Sequence, residues 1–274
     1  MTTATGQPDR PMTPQAKPIR LLWTAGWDST FRLLEALLVR GKSVEPFYLT
    51  DPGRPSTAYE LRAMGRIADA LGAGHPTASA RLARPVVLSV ADLHPDPETT
   101  ARFERLRARS HLGGQYDWLA RFAAQQGLSD LELSVHRDDR AAEFLQAYVV
   151  REDGGGDPYF RLRDDAPDDL RIFERFRFPV FDKTKRDMQR GARAGGFADL
   201  MELTWFCHIP TADGRPCGRC NPCRYTIDEG LARRIPLGTR LRNHGVVLGI
   251  KRPLRAAATW MGWRKPRGET GRAG

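Results

Sequence analysis

Cysteine is scarce in this chain: four residues in 274, all between positions 207 and 223. A disulfide framework would spread its cysteines through the fold, so none is expected. No run of about 18 apolar residues occurs, which leaves no helical membrane span. The opening stretch, MTTATGQPDRPMTPQAKP, lacks the apolar core of a secretory signal and reads as a polar, proline-broken tail over residues 1–18. Thiols clustered in a chain without an export signal point to a reducing, cytoplasmic location. Two common nucleotide fingerprints are also missing. There is no GxxxxGK[ST] segment and no GxGxxG segment, which excludes a Walker-A loop and a dinucleotide-binding turn. Internal repeats are absent, so a solenoid is excluded as well.

Apolar residues make up 41% of the chain, enough for a packed core and too many for global disorder. The length suits one large domain, or one domain with a small appendage. The formal charge is +10, which favours phosphate-bearing partners. Much of the excess lies late, at Arg240, Arg242, Lys251, Arg252, Arg255, Arg264, Lys265, Arg267 and Arg272. This basic extension, residues 236–274, reads as a solvated or docked tail, as a nucleic-acid contact, or as a membrane or partner contact, with Trp260 and Trp263 placed among the cations.

Strands and helices alternate along the chain. Short apolar runs at Ile19–Thr24, Val44–Thr50, Val86–Val90, Leu131–Val135 and Ile172–Phe181 read as strands. Helical spacing appears over Phe31–Val39, Tyr59–Leu71, Thr99–Arg109, Tyr116–Gln126, Arg140–Val150 and Thr184–Ala194. The Gly- and Asp-rich stretch Glu152–Asp169 reads as a loop. Such alternation predicts an α/β fold with a doubly wound, mostly parallel sheet, and ligands beyond the carboxyl ends of its strands.

The first strand runs into Thr24-Ala25-Gly26-Trp27-Asp28-Ser29-Thr30 and a helix follows at once. A Gly turn at a helix start exposes backbone N–H groups and the positive dipole end, and hydroxyls add donors: the ingredients of an anion site. Asp28 would repel a bare phosphate, so a bridging Mg²⁺ or helix capping accounts for it. An ordinary capped strand-to-helix turn is the alternative reading. Near the other end, Cys207 is followed by Cys217-Gly218-Arg219-Cys220-Asn221-Pro222-Cys223. Four thiolates with short Gly/Pro spacers suit a closed tetrahedral Zn²⁺, one per chain and structural, with an iron–sulfur cluster as competitor. His208 reads as a neighbour of that site.

The segment TAGWDST resembles the Ser-Gly-Gly-x-Asp-Ser signature of PP-loop ATP pyrophosphatases. At the other end, Thr204-Trp205-Phe206-Cys207 with Cys217-Gly218-x-Cys220-x-x-Cys223 resembles the ending of the 7-cyano-7-deazaguanine synthase (QueC) family. Phe178-Pro-Val-Phe-Asp-Lys-Thr-Lys185 resembles that family's lysine-bearing turn. The resemblance implies a PP-loop, HUP-like domain over residues 19–200 and a zinc-binding segment over 201–235. It implies ATP and Mg²⁺ bound by residues 24–30, with Asp28, Ser29, Lys183 and Lys185 in the chemistry. The implied reaction adenylates a carboxylate on a deazaguanine-like substrate, lets ammonia displace AMP, and uses a second ATP to reach the nitrile. A homo-oligomer is expected on the same footing.

Two departures stand out. Ala25 places a Cβ where the signature has glycine. The family's substrate segment after the fourth strand is replaced by Ser134-Val135-His136-Arg137-Asp138-Asp139-Arg140. There Asp138 and Asp139 are read either as acceptors for a guanine-like N–H edge or as a helix cap. A PP-loop tRNA-modifying enzyme and a zinc-bearing binding protein without turnover are the competing functions.

Overall fold

The computed structural model describes residues 17–243. The N-terminal tail and nearly all of the basic extension, including Trp260 and Trp263, lie outside the described residues. Seven strands form one sheet in the order β3-β2-β1-β4-β7-β6-β5. They are β1 (Ile19–Leu22), β2 (Val44–Thr50), β3 (Val86–Ser89), β4 (Leu131–Glu132), β5 (Val149–Asp153), β6 (Pro158–Leu162) and β7 (Phe176–Phe178). The first four and β7 are parallel, while β5 and β6 add an antiparallel edge.

Side-chain alternation makes the sheet a middle layer. Leu21, Trp23 and Tyr48 face a core with α1 (Trp27–Leu34), α2 (Thr57–Gly74), the short α3 (Pro76–Ser79), α7 (Lys185–Ala194) and α8 (Ala198–Glu202). Leu22, Phe47 and Leu49 face the other core, built with α4 (Pro97–Arg109), α5 (Gln115–Gln125) and α6 (Arg140–Leu145). Burial on both faces is what a parallel sheet needs, and it explains the near-continuous apolar runs of β1 and β2. The mostly parallel α/β expectation is met. Among the described residues no helix is long and apolar enough to cross a membrane.

Three elements differ from the expectation. The helix expected over Arg140–Val150 stops at Leu145, and Val149 opens β5 instead. The expected loop over Glu152–Asp169 contains a β-hairpin, β5 with β6, turning through Gly155 and Gly156 at positive φ. In the run Ile172–Phe181 only Phe176–Phe178 pairs, because Pro167 starts a 3₁₀ turn over Asp168–Phe173 that buries Leu170, Ile172 and Phe173.

One polar group ties these layers together. Arg32 of α1 is 2% exposed and binds Glu132 of β4 through two bonds of 2.7 Å. The same guanidinium meets Asp157 of the β5–β6 turn at 3.0 and 2.6 Å. Five N–H donors in a planar fork allow one arginine to satisfy two carboxylates.

Candidate active site and metal centre

The strand order reverses between β1 and β4, since β2 and β3 continue to one side and β7 to the other. A crevice forms beyond the carboxyl ends at such a reversal. Here it is a cleft of about 400 Å³. Thr24, Gly26, Trp27, Asp28 and Ser29 after β1 line it, with Leu133 and Ser134 after β4.

The turn into α1 is held open. Ala25 adopts φ 54°, the left-handed region, at a cost of about 1–2 kcal/mol for a residue with a Cβ. Its methyl is buried and its carbonyl accepts the Trp205 N–H at 2.8 Å. Gly26 is the N-cap and no side chain caps the helix. The first intrahelical bond runs from Thr30 N–H to Gly26 C=O at 3.0 Å, so the N–H groups of Trp27, Asp28 and Ser29 precede the ladder. The Ser29 hydroxyl accepts the Thr24 N–H at 3.4 Å. Thr30 points away from the cleft, its hydroxyl accepting the Trp23 indole N–H at 3.0 Å.

Cation and carboxylates meet beside this turn. Thr184 caps α7 in a reciprocal box with Asp187, 2.8 Å from Thr184 N–H to Asp187 Oδ2 and 3.2 Å from Asp187 N–H to Thr184 Oγ1. That fixes Lys185 at the first helical position. Gly191, whose missing Cβ would sit 3.1 Å from the Phe31 ring, lets α7 approach α1 closely. Lys185 Nζ consequently lies 3.3 Å from Asp28 Oδ2 and 3.3 Å from Glu229 Oε2. Burial opposes the ammonium, but Asp28 and then Glu229 outweigh it and hold its pKa above the usual lysine value. Burial also lifts the Glu229 carboxyl above its usual range, despite Lys185. Asp28 Oδ1 is buried without a hydrogen-bond partner and faces His136 Nε2 at 3.9 Å. His136 Nδ1 accepts the Asp138 N–H at 3.1 Å, which leaves Nε2 as the nitrogen directed at Asp28.

The remaining expected residues separate. Asp139 is the N-cap of α6, accepting the Ala141 N–H at 2.9 Å, and it lines the cleft beneath Tyr116, whose hydroxyl is 3.4 Å away. Burial raises the Asp139 carboxyl. Asp138 is exposed and Lys183 is half-buried; neither lines the cleft. Ala25 contributes backbone geometry rather than a lining side chain.

Residues after position 200 close the cleft. Trp205, Phe206 and His208 line it, followed by Tyr225, Glu229 and Arg234. Arg234 lies between two rings, 5.3 Å from the Trp27 centroid and 4.9 Å from that of Phe206. Burial lowers its pKa to about 10. His136, Glu229, Arg234, Arg54 and Glu60 carry no local motif, and only the tertiary fold gathers them. Glu229 offered one weak signal, an acidic residue in a short helix just past the cysteines.

The same segment carries the thiols. The Sγ atoms of Cys207, Cys217, Cys220 and Cys223 all lie within 4.8 Å of one another. Cys217–Cys223 and Cys207–Cys220 are each 3.9 Å apart. Sulfurs about 2.3 Å from one tetrahedral zinc are about 3.8 Å apart, so this set can hold a single zinc ion. A multi-iron cluster spreads the four thiolates over two or four irons and needs a wider set. The Cys217 and Cys220 N–H groups both approach sulfur, at 3.2 Å from Cys207 Sγ and 3.4 Å from Cys217 Sγ, as expected around thiolate charge. No family model and no curated protein matches the chain.

Proposed function

We propose that this chain is an AMP-forming ligase of the PP-loop type, similar to the 7-cyano-7-deazaguanine synthases, acting on a carboxylated deazapurine-like substrate. The observation that carries the reading is the uncapped start of α1, with Ser29 and Lys185 beside it, opening into a cleft at the strand-order reversal. Three N–H groups, a dipole end and a lysine form a receptor for the pyrophosphate of ATP. The unpartnered Asp28 Oδ1 fits a carboxylate that would hold nucleotide-bound Mg²⁺. When bound, that ion offsets phosphate charge.

The substrate carboxylate oxygen attacks the α-phosphorus of ATP and pyrophosphate leaves. Ammonia then attacks the acyl carbon, AMP leaves, and a proton is lost to give the amide. The amide oxygen attacks the α-phosphorus of a second ATP and pyrophosphate leaves; loss of AMP and of both amide N–H protons then gives the nitrile. Trp205, Phe206 and Trp118 supply apolar cover that keeps water from the adenylate. The test is release of pyrophosphate and AMP from ATP with a panel of 7-carboxy-7-deazapurines and ammonium. Release that depends on one such carboxylate supports the reading, and no release across the panel overturns it.

A further inference from the structure

The positive charge of the chain is concentrated at one end. Residues 201–274 hold fourteen Lys and Arg against five Asp and Glu, a net +9, whereas residues 1–200 hold twenty-nine against twenty-eight, a net +1. Of that surplus, +6 lies in residues 244–274, into which the thiol segment leads. Four thiolates around one zinc ion would carry a formal charge of about −2, which offsets only part of it.

Two arginines of the thiol segment are uncompensated. Arg219 lies between Cys217 and Cys220, and Arg224 directly follows Cys223. Both are exposed, and neither side chain makes an ion pair or a hydrogen bond among the described residues. Neighbouring arginines do have partners: Arg215 meets Asp213 at 3.1 Å, and Arg233 meets Glu202. The thiol cluster fixes the backbone under both free cations. The Arg219 N–H approaches Cys217 Sγ at 3.5 Å, and the Arg224 N–H donates to the Cys220 carbonyl at 3.1 Å. Cations on a fixed backbone meet a phosphate at a lower entropic cost than cations on a loose chain.

An open ring adjoins these cations. Tyr225 follows Arg224, is 50% exposed, and has no ring or cation stacked on it among the described residues. In α9 (Asn221–Thr226) Pro222 and Tyr225 are three positions apart, hence on one face, and both line the cleft. The half-exposed Tyr225 ring therefore stands where the cleft meets solvent. Guanidinium groups that take phosphates, beside a ring that takes a base face, are what a single strand requires. A duplex keeps its base faces stacked internally, and an acidic peptide or a lipid headgroup offers no base to stack.

We propose that the thiol segment is a docking surface for single-stranded nucleic acid, with Arg219 and Arg224 on backbone phosphates and an unpaired base on Tyr225. A strand held this way passes the edge of the cleft. The assignment goes beyond the ligase reading and does not rest on it. Cations placed only to offset thiolate charge would account for the two arginines, but not for the open ring.

The experiment follows fluorescence anisotropy of labelled oligouridine and oligothymidine, each about 20 nucleotides long, with the full chain between about 50 and 300 mM KCl. Binding should weaken with salt, and the log–log slope should fall by about 0.7 for each of Arg219→Gln and Arg224→Gln. Tyr225→Ala should weaken binding roughly tenfold at an unchanged slope, as loss of a stack does, and Tyr225→Phe should retain it. Zinc content of each variant, measured in parallel, should equal that of the wild type. Tighter binding of one strand names the sugar the surface prefers and supports the proposal. No binding of either strand at the lowest salt overturns it. Binding that ignores Tyr225→Ala, or that ignores both arginine substitutions, overturns it as well. So does equal affinity for a duplex of the same length, or equal displacement of the strand by polyglutamate or by phosphatidylserine vesicles.

Discussion

The Trp205 main-chain N–H donates to the Ala25 carbonyl at 2.8 Å, tying the segment that leads into the cysteines to the strained turn before α1. Trp205 is tied in turn to the first ligand, its indole N–H donating to the Cys207 carbonyl at 2.8 Å. Two hydrogen bonds thus connect the candidate metal centre to the candidate phosphate turn. The thiol cluster stabilises one edge of the cleft and is not a remote appendage.

A first consequence concerns the metal. Elemental analysis of the purified protein should find about one zinc per chain; iron with visible absorbance, or no metal, would contradict the assignment. Cys220→Ser should lose the ion. Metal binding contributes directly to the folding of such a site, roughly 10 kcal/mol or more in small zinc modules, and here only a small apolar cluster with Ile235, Phe206 and Ile227 supports it otherwise. Thermal unfolding should then begin in this segment, with a lower midpoint than the wild type.

The turn itself gives a second expectation. Ala25 stores about 1–2 kcal/mol of left-handed strain, and Gly would relieve it. Gly also loses a buried methyl worth about 0.8 kcal/mol and gains unfolded-chain entropy of about 0.4–1 kcal/mol. These oppose one another, so Ala25→Gly should shift urea stability by under about 1 kcal/mol. Ala25→Val should cost more than about 2 kcal/mol, because a β-branched residue at this φ meets both strain and a filled core. Equal stability of the two variants would contradict the turn geometry.

If the α1 start receives phosphate, Ser29→Ala and Asp28→Asn should each lower AMP formation roughly 10²–10³-fold, the usual effect of losing one transition-state contact. Circular dichroism should stay unchanged for Ser29→Ala, whose hydroxyl makes only one long bond of 3.4 Å. Full activity in both variants would exclude this turn as the ATP site.

How much of this was legible beforehand depends on where the information lies. Val44–Thr50 reads as a strand because both its faces are covered, so an unbroken apolar run suffices. The thiol set was legible because its ligands sit within seventeen positions and carry their own turn residues. The β5–β6 hairpin was not. It lies at the sheet edge, half exposed, and alternates charges with aromatics around a Gly turn, a pattern shared with loops. Much of the acidic lining of the cleft was equally hidden, since Glu60 and Glu229 come from two distant segments. Asp28 and Lys185 were found as separate candidates. Their 3.3 Å contact depends on Gly191 admitting Phe31, which no local pattern encodes.

That contact has a pH signature. The folded pKa of Lys185 lies above its ordinary 10.5, so its stabilisation is fully present below that value and is lost as pH rises through the raised one. Lys185→Gln leaves Asp28 and Glu229 without their shared cation and should cost about 3 kcal/mol, the lower end for a broken buried pair. The difference between wild type and variant, from urea unfolding, should stay constant between about pH 7 and 9 and narrow above about pH 10.5. A difference that grows at high pH would mean that Lys185 is not held as the ammonium.

The buried arginine supports the last expectation. Arg32→Met removes the fork that satisfies Glu132, which is 6% exposed, and one of the two cations on Asp157, which keeps Arg40 at 3.0 Å. Breaking a buried pair from one side costs about 3–5 kcal/mol, because the remaining charge keeps its desolvation penalty. Glu132 is already raised above the usual carboxylate range by burial, even with Arg32 in place. Without the arginine it should rise further. A carboxyl raised in the folded state loses stability as pH climbs through its folded pKa and regains it on protonation. The Arg32→Met penalty should therefore be largest near pH 8 and shrink toward pH 5, where Glu132 takes up a proton and becomes a donor to Asp157. Glu132→Gln added to Arg32→Met should recover part of the loss at pH 8, because it supplies that donor without titration. A penalty independent of pH, unrelieved by the second change, would show that Arg32 acts through packing and not through its charge.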